Sequence, residues 1–243
     1  LRNQGFEVSF CAQTKLHSLI KASGIDTNPL TPEQATLVAE GKWIPLLSLP
    51  RCLKVSAKNP IVNDPYIFVR NKLKEKWKNI LSKEKKLIVA IYWQGSQGIE
   101  KKSQKGRSFP LETFGLLLKQ NDIKFLSLQK GYGSEQLKDC SFRKQFVDYQ
   151  SEIDSIWDFE ETAAIMESCD IIISNDTYAA TMAGGMGKKV WLLLKDIPHW
   201  TWGLKNESTL WYPSMRLFRQ KERNNWQEVM ERVSIELKTI EKI

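Results

Sequence analysis

The fold of this chain is decided by the stretch Asp170-Ile171-Ile172-Ile173-Ser174-Asn175-Asp176-Thr177 and the residues up to Gly187. Its first part is a short, almost entirely apolar run, which is typical of a strand buried on both faces of a sheet. The residues after Thr177 are small and have helical spacing, so they predict a helix at 178–186. A buried strand that leads directly into a helix is the repeating unit of a parallel α/β sheet.

The same alternation extends from about Lys85 to the end of the chain. The predicted strands are 87–92, 124–128, 145–149, 171–174 and 190–194. The predicted helices are 111–119, 133–137, 160–167, 178–186 and 226–237. Nearly all-apolar strands that alternate with helices indicate a parallel sheet covered on both faces, so we expect a Rossmann-like α/β domain.

The first third of the chain has shorter elements separated by turn residues. The sequence predicts a strand at 6–11, a helix at 14–22, a connector at 59–66 and a helix at 69–81. A strand-like run begins almost at Leu1, so we expect an upstream segment to be missing. We therefore divide the chain into a partial N-terminal α/β domain with a connector, 1–80, and a Rossmann-like domain, 81–243.

The charge balance indicates an anionic partner. The 243 residues carry a net charge of +8, which suits a nucleic acid, an anionic membrane surface or a phosphorylated small molecule. The lysines of helix 69–81 are typical of the solvated face of an amphipathic helix. Because the sequence has no recognisable nucleic-acid-binding motif, nucleic acid is the less favoured partner.

Cysteine, histidine and hydropathy patterns set further expectations. The four cysteines and the two histidines, His17 and His199, are well separated, so we expect no metal site. Free cysteines indicate a reducing compartment. The longest apolar runs, such as 190–194, are far too short to span a membrane, and no signal peptide is recognisable. We therefore expect a cytoplasmic protein.

Ligands of an open parallel sheet bind at the carboxyl ends of its strands, where loops meet helix N-termini. In the loop after the first predicted strand, Gly95 would let a ligand approach the backbone. Arg107 precedes the helix predicted to start at Pro110-Leu111, where a guanidinium can hold a diphosphate through paired hydrogen bonds. The alternative is a flexible, lysine-rich surface loop.

The next two loops have weaker signals. Gln129 and Lys130 follow the second predicted strand, at the place where a base or a phosphate would lie. Gly131 and Gly133 suit a tight turn there, and a plain strand-to-helix turn explains them equally well. Asp158 is a good N-cap for helix 160–167, so we assign it to capping.

The fourth loop has the sharpest signal. Asp176 and Thr177 lie where the strand gives way to its helix, and a helix N-terminus presents free N–H groups and a partial positive charge to a phosphate. Thr181 is four residues after Thr177, so their hydroxyls share one helix face. Capping is the alternative explanation for Asp176 and Thr177. We assign the aromatic loops 199–203 and 211–220 to packing, with stacking on a base or a sugar as the alternative.

Several of these segments, in this order and spacing, resemble bacterial glycosyltransferases that are often fused to tetratricopeptide repeats. The segments are Trp93-Gln94-Gly95, Arg107-Ser108-Phe109-Pro110, Ser127-Leu128-Gln129-Lys130-Gly131, Asp158-Phe159-Glu160-Glu161-Thr162, Ser174-Asn175-Asp176-Thr177 and Trp211-Tyr212-Pro213-Ser214-Met215-Arg216-Leu217-Phe218-Arg219-Gln220. These enzymes are similar to heptosyltransferases and, more distantly, to O-linked N-acetylglucosamine transferase. The resemblance implies GT-B architecture, in which two Rossmann-like domains face a cleft and the C-terminal one holds a nucleotide-sugar donor.

The resemblance also implies roles for particular residues. Arg107 matches a basic residue that contacts the donor phosphate, Asp176 and Thr177 match a donor-binding pair, and the Gln129-Lys130 turn lies beside the nucleoside. Such enzymes need neither a metal ion nor a cofactor, and the nucleotide sugar is a substrate. Thr181 stands where the family usually has a histidine that helps to bind phosphate.

We therefore expect a glycosyltransferase whose acceptor is an anionic glycan, a glycolipid or a protein. The family's catalytic base comes from a part of the N-terminal domain that precedes Leu1 here, so no catalytic residue is assigned. The alternative is a catalytically inactive module that binds a nucleotide sugar or acts as a scaffold. A third hypothesis is a nucleic-acid-binding protein that uses residues 72–86.

Overall fold

The computed structural model describes residues 1–56, 58–61, 65–102, 104–119 and 122–242. Residues 62–64 of the predicted connector and Ser103 of the first loop lie outside the described residues. Across the described ranges, no helix is both long enough and apolar enough to cross a membrane.

A parallel sheet forms the centre of the molecule. Its strands are β1 (Leu87–Tyr92), β2 (Ile123–Ser127), β3 (Ile171–Asn175), β4 (Val190–Leu194) and β5 (Met215–Arg219). They lie in the order β2-β1-β3-β4-β5, and every neighbouring pair is parallel. The apolar runs form these strands because helices and turns cover both faces of the sheet. The predicted Rossmann-like α/β class agrees with this sheet.

Helices surround the sheet. They are α1 (His17–Ala22), α2 (Pro32–Ala35), α3 (Leu49–Cys52), α4 (Asn71–Leu81), α5 (Gln97–Lys102), α6 (Gln150–Ser155), α7 (Phe159–Glu167), α8 (Tyr178–Gly185) and α9 (Trp226–Leu237). Segments of 3₁₀-helix lie at Arg2–Gln4, Thr14–Leu16, Leu46–Ser48, Leu111–Lys119, Ser134–Leu137, Arg143–Gln145 and Trp200–Trp202.

Two strand predictions were wrong and one strand was missed. Residues 145–149 form only an isolated bridge, in which Phe146 pairs with Phe125, because a 3₁₀ turn ends at Gln145 and α6 begins at Gln150. Residues 6–11 likewise contribute a single bridge, between Cys11 and Leu30. Strand β5 was predicted as an aromatic loop.

The core has two layers, one on each face of the sheet. Ile88 and Ala90 of β1 face the layer that contains α7 and α8, and Val89 and Ile91 face the layer that contains α9. This alternation follows from the two-residue repeat of a strand. The sheet therefore has no solvent-facing side along β1, which explains the continuous apolar sequence.

Helix α4 packs against α7 and contributes to the same core as the sheet. Trp77 is fully buried, and its indole N–H donates to the carboxylate of Glu161 at 3.1 Å. Lys76 donates to the same carboxylate at 2.7 Å, and Lys74 donates to Glu167 at 3.0 Å. Two lysines of this basic helix are thus paired with acids of α7.

The strand order places a crevice between β1 and β3. Strand β2 pairs with one side of β1, and β3 pairs with the other, so the connections after β1 and β3 leave the sheet in different directions. In doubly wound sheets this switch point is where ligands bind, outside the carboxyl ends of the strands. The loop after β1 and the start of α8 both lie there.

Candidate functional site

The crevice is spanned by Arg107. Its Nη1 donates to the main-chain carbonyl of Asp176 at 2.8 Å, which joins the loop after β1 to the loop after β3. Its Nε lies 3.1 Å from the Glu100 carboxylate, and the Arg107 side chain is 11% exposed. Its Nη2 has no hydrogen-bond partner among the described residues. The guanidinium is therefore held by two of its nitrogens, and the third is available to a ligand.

Gly95 is required by this arrangement because the guanidinium lies across it. A Cβ at position 95 would lie 2.5 Å from Nη2 and 2.6 Å from Nε of Arg107, which is closer than atoms can approach. The sequence predicted that this glycine allows a ligand to approach the backbone. In the structure it allows Arg107 to approach.

Glu100 and Ser108 hold the loop in place. The Ser108 hydroxyl donates to the Glu100 carboxylate at 2.9 Å, and the Ser108 N–H donates to the other carboxylate oxygen at 3.2 Å. The N–H of Gly95 in turn donates to the Ser108 hydroxyl at 2.9 Å. Glu100 was not predicted as a site residue, because its sequence signal is a single acid within a lysine-rich stretch.

Asn175, the last residue of β3, connects the three segments that build the corner. It is completely buried, and its Nδ2 donates to the carbonyl oxygens of Trp93 at 2.8 Å and Arg107 at 3.2 Å. The ends of β1 and β3 and the backbone of Arg107 are thus fixed relative to one another. Asn175 belongs to one of the segments that resemble the glycosyltransferases, but it was not predicted as a site residue.

The N-terminus of α8 faces this corner with free donors. Thr177 is the N-cap residue, but its side chain makes no capping bond; its hydroxyl lies 3.3 Å from that of Ser174. Within the described ranges nothing accepts a hydrogen bond from the N–H groups of Tyr178, Ala179 and Ala180. Unpaired N–H groups and the positive end of a helix dipole favour an anion.

Asp176 lies between this helix and Arg107. Its carbonyl accepts a hydrogen bond from Arg107, whereas its carboxylate has no hydrogen-bond or ion-pair partner among the described residues. A carboxylate accepts hydrogen bonds from hydroxyl groups. The corner therefore offers N–H donors suited to a phosphate and, next to them, a carboxylate that can accept a hydrogen bond from a sugar hydroxyl.

Gln129 fixes the main chain of the loops that follow β1 and β2. It is 1% exposed, and its side-chain oxygen accepts from the N–H of Gln94 at 2.9 Å. Its Nε2 donates to the carbonyls of Tyr132 at 2.8 Å and Gln94 at 3.2 Å. The amide therefore ties the loop after β2 to the loop after β1, and its bonding groups are directed at main chain.

Lys130 lies beside Gln129 and is half-buried. Its ammonium donates to the carbonyl of Ile153, close to the end of α6. Burial lowers the pKa of Lys130, and the nearby carboxylate of Asp154 opposes this shift. The structure thus places Lys130 at the loop after β2, one strand away from the corner formed by Arg107 and Asp176.

The other residues of α8 are engaged within the chain. The Thr181 hydroxyl donates to the carbonyl of Tyr178 at 3.0 Å. A Cβ at Gly184 would lie 2.8 Å from the Tyr212 ring, and one at Gly185 would lie 2.8 Å from Ile67. These two glycines allow close packing of neighbouring segments.

Tyr92 and Tyr178 line the floor of the corner. Their rings meet edge to face with centroids 5.3 Å apart. Burial raises the pKa of Tyr92, while the charge of Arg107 and the nearby amide of Gln129 act in the opposite direction. The Tyr92 hydroxyl therefore stays protonated at neutral pH.

The remaining predictions concern capping and metals. Asp158 caps α7, because its carboxylate accepts from the N–H of Glu161 at 2.9 Å, as the sequence predicted. His199 lies next to Thr201, with Nδ1 2.9 Å from the hydroxyl. In the part of the chain that the structure describes, no three His, Cys, Asp or Glu side chains are grouped so that they could hold a metal ion.

Comparisons with known proteins give limited matches. No family model matches the chain. Over 152 residues it is 26% identical to Protein FlbA of Caulobacter vibrioides, a match that covers 62% of this chain and 25% of that protein. A crystal structure of a glycosyl transferase family 9 protein from Veillonella parvula superposes with a TM-score of 0.48 at 11% identity, covering 81% of this chain and 51% of the other. The chain thus spans a quarter of the curated relative and about half of the solved one.

Proposed function

We propose that this chain holds the nucleotide-sugar donor of a glycosyltransferase with GT-B architecture, which transfers the sugar to an acceptor hydroxyl. The observation that carries the proposal is the hydrogen bond from Arg107 to the Asp176 carbonyl, since it sets a guanidinium beside the free N-terminus of α8. Three of the segments that resemble the heptosyltransferase-like, tetratricopeptide-associated enzymes, 93–95, 107–110 and 174–177, meet at this corner.

The diphosphate of the donor binds between α8 and Arg107. The N–H groups of Tyr178, Ala179 and Ala180 have no acceptor among the described residues, and Arg107 Nη2 extends the same set of donors. The Thr177 hydroxyl lies at the start of the helix, where it can rotate from Ser174 to a phosphate oxygen. Donors preset in this way need no rearrangement when the charge arrives.

The nucleoside and the sugar extend from the diphosphate along the sheet edge. The free carboxylate of Asp176 accepts hydrogen bonds from sugar hydroxyls. The turn at Gln129 and Lys130 lies beside the nucleoside; Gln129 shapes this turn through its main-chain bonds, and the Lys130 ammonium donates to the carbonyl of Ile153 next to it. Gly95 contributes by leaving space for Arg107.

In the proposed transfer, negative charge develops on the diphosphate as it leaves the sugar. The acceptor oxygen forms a bond to the anomeric carbon, the bond from that carbon to the diphosphate breaks, and the diphosphate leaves with the electron pair. Arg107 and the N-terminus of α8 stabilise the departing negative charge, so the proposed mechanism requires no metal ion. The acceptor proton passes to a base, and the proposal assigns that role to no residue of this chain.

The alternative is a module that binds a nucleotide sugar without turning it over. The observation that favours it is at Thr181, where the family usually has a histidine. Its hydroxyl is bonded to the Tyr178 carbonyl, so it adds neither a charge nor a free donor to the phosphate site. Turnover separates the two functions, because both require binding and only the first releases sugar from the donor.

The net charge of +8 favours an anionic acceptor, such as a charged glycan or glycolipid, with a protein acceptor as a further candidate. Charge also underlies the nucleic-acid alternative. Because Lys74 and Lys76 are paired with acids of α7, the basic helix offers fewer free cations than its sequence indicates.

The test is a thermal-shift titration with UDP, GDP and ADP, followed by a donor-turnover assay with the nucleotide that stabilises most. We expect one nucleoside diphosphate to raise the Tm, because a ligand that binds only the folded state stabilises it. If none of the three raises the Tm, the proposal is wrong. Salt-sensitive RNA binding in the absence of any nucleotide effect would support the nucleic-acid alternative.

A further inference from the structure

A second cation lies on the same edge of the sheet. Arg219 is the last residue of β5 and is half-buried. Its Nη2 donates to the main-chain carbonyl of Trp202 at 3.3 Å. Its Nη1 is enclosed and has no hydrogen-bond partner among the described residues.

Several other arginines are paired with carboxylates, whereas Arg219 has no counter-ion among the described residues. The paired arginines include Arg70 with Glu160, Arg107 with Glu100, Arg216 with Glu236, Arg223 with Asp196 and Arg232 with Glu228. In the described ranges no carboxylate lies within ion-pair distance of Arg219. Burial lowers its pKa, and no acid offsets this effect.

An unpaired and partly buried charge is costly, so its presence calls for a partner outside the chain. The residue that accepts the Arg219 hydrogen bond, Trp202, itself carries a second unsatisfied donor. Trp202 is 5% exposed, and its indole N–H has no acceptor in the described part of the chain. Because both groups can only donate, the missing partner is a group that accepts hydrogen bonds and carries negative charge.

The register of the sheet relates Arg219 to the proposed diphosphate corner. Asn175 pairs with Leu193, and Leu194 pairs with Arg219, so Arg219 lies in the row that also contains Asp176. Two strand spacings separate them, which is about 10 Å. Met215 and Leu217 face the layer of α8, and the two-residue repeat of β5 places Arg219 on that same side.

We infer that Arg219, together with the indole N–H of Trp202, forms a second anion subsite that binds a phosphate or carboxylate group about 10 Å from the first. This group belongs either to the sugar half of the donor or to the acceptor, because both extend from the diphosphate along this edge. The role in transfer rests on the proposed function, whereas the anion site itself does not.

The test compares Arg219→Gln with the wild type by calorimetric titration of inorganic phosphate. Glutamine keeps a donor for the Trp202 carbonyl and removes the charge. We expect the variant to lose one of two phosphate sites, with the affinity at that site falling at least about tenfold, as the loss of a hydrogen bond to a charged group predicts. The Tm should stay unchanged or rise, because the variant removes an unpaired charge. Arg143→Gln is the matched control, since Arg143 is exposed and lies in a 3₁₀ turn next to Phe146.

A second titration of phosphate, with the best-stabilising nucleoside diphosphate present at saturation, identifies the source of the anion. If phosphate still binds and Arg219→Gln abolishes this binding, the group belongs to the acceptor or to the sugar. If the nucleotide excludes phosphate and Arg219→Gln weakens nucleotide binding, Arg219 contacts the nucleotide itself, and the proposal of a separate second subsite is wrong.

The inference is overturned if Arg219→Gln lowers the Tm and leaves phosphate affinity unchanged, because the residue then only braces the loop at Trp202. Failure of the proposed function gives a different result: no nucleoside diphosphate binds, while phosphate still binds the wild type and not the Arg219 variant.

Discussion

Arg107 Nη1 and the carbonyl oxygen of Asp176 lie 2.8 Å apart, although the two residues are separated by 69 positions in the sequence. This bond joins the loop after β1 to the loop after β3 across the crevice between the two strands. It also keeps a positive charge beside the N-terminus of α8, whose first N–H groups have no acceptor among the described residues. A diphosphate would meet donors from both sides.

Replacing Arg107 by Gln should lower the affinity for the best-stabilising nucleoside diphosphate by roughly 10- to 100-fold. A hydrogen bond to a charged group is worth about 1.5–3 kcal/mol, which corresponds to that factor. Isothermal titration calorimetry measures the change. Arg143→Gln, which removes one exposed charge, should leave the affinity near that of the wild type. Equal affinities for the Arg107 variant and the wild type would remove Arg107 from the site.

Replacing Gly95 by Ala tests whether the position of Arg107 matters, because the arginine itself is kept. The new Cβ would lie 2.5 Å from Nη2, so the guanidinium has to move. We expect a loss of nucleotide affinity of the same order as in Arg107→Gln, with the fold preserved.

Gly98→Ala is the matched control for this variant. A Cβ at Gly98 meets nothing within 4 Å, and the residue lies within α5, where alanine is favoured over glycine by up to about 1 kcal/mol. Affinity should therefore be unchanged and the Tm unchanged or higher. Equal nucleotide affinities for Gly95→Ala and Gly98→Ala would show that binding does not depend on where the guanidinium lies.

Replacing Asn175 by Ala should reduce both stability and nucleotide affinity. The side chain is fully buried, and its removal leaves the carbonyls of Trp93 and Arg107 without their donor. We expect a loss of about 1–3 kcal/mol in the free energy of unfolding, measured by urea denaturation. Asn206→Ala, at an exposed position, should change neither quantity. A variant as stable as the wild type would contradict the structural role of Asn175.

Replacing Lys130 by Met should raise stability at neutral pH and lower nucleotide affinity. Burial lowers the pKa of Lys130 in the folded protein, so the unfolded chain binds its proton more tightly. The penalty is therefore fully present at low pH and disappears as the pH rises through the folded pKa towards the ordinary value of about 10.4. The stability advantage of the variant should shrink over that range in thermal unfolding.

Lys72→Met, at an exposed position, is the control for this prediction and should show no such pH dependence. If Lys130→Met binds the nucleotide as well as the wild type does, Lys130 does not contact it. A stability advantage that grows with pH would contradict the burial argument.

Much of the sheet could be predicted from the sequence because its strands are buried on both faces. Strands β1 and β4 have the predicted bounds, since apolar runs are sufficient evidence there. Strand β5 was missed because Arg216 and Arg219 interrupt its apolar run. Arg216 forms an ion pair with Glu236, and Arg219 donates a hydrogen bond to the carbonyl of Trp202. Neither contact can be recognised from the neighbouring sequence.

The candidate site was predictable in part. Arg107 and Asp176 were expected to face each other because parallel strands bring their carboxyl ends to one edge, and the structure brings the two residues together. Glu100 and Asn175 were not identified, because their roles depend on partners supplied by the folded loop. Gln129 was expected to face the ligand, but its amide is directed at main chain, an arrangement that only tertiary structure determines.

The most direct test of the central claim is a crystal structure of the protein bound to the nucleoside diphosphate that stabilises it most. We predict that diphosphate oxygens lie about 3 Å from the N–H groups of Tyr178, Ala179 and Ala180 and from Arg107 Nη2. A diphosphate bound elsewhere, with the start of α8 and Arg107 unchanged and in contact with solvent, would contradict the account.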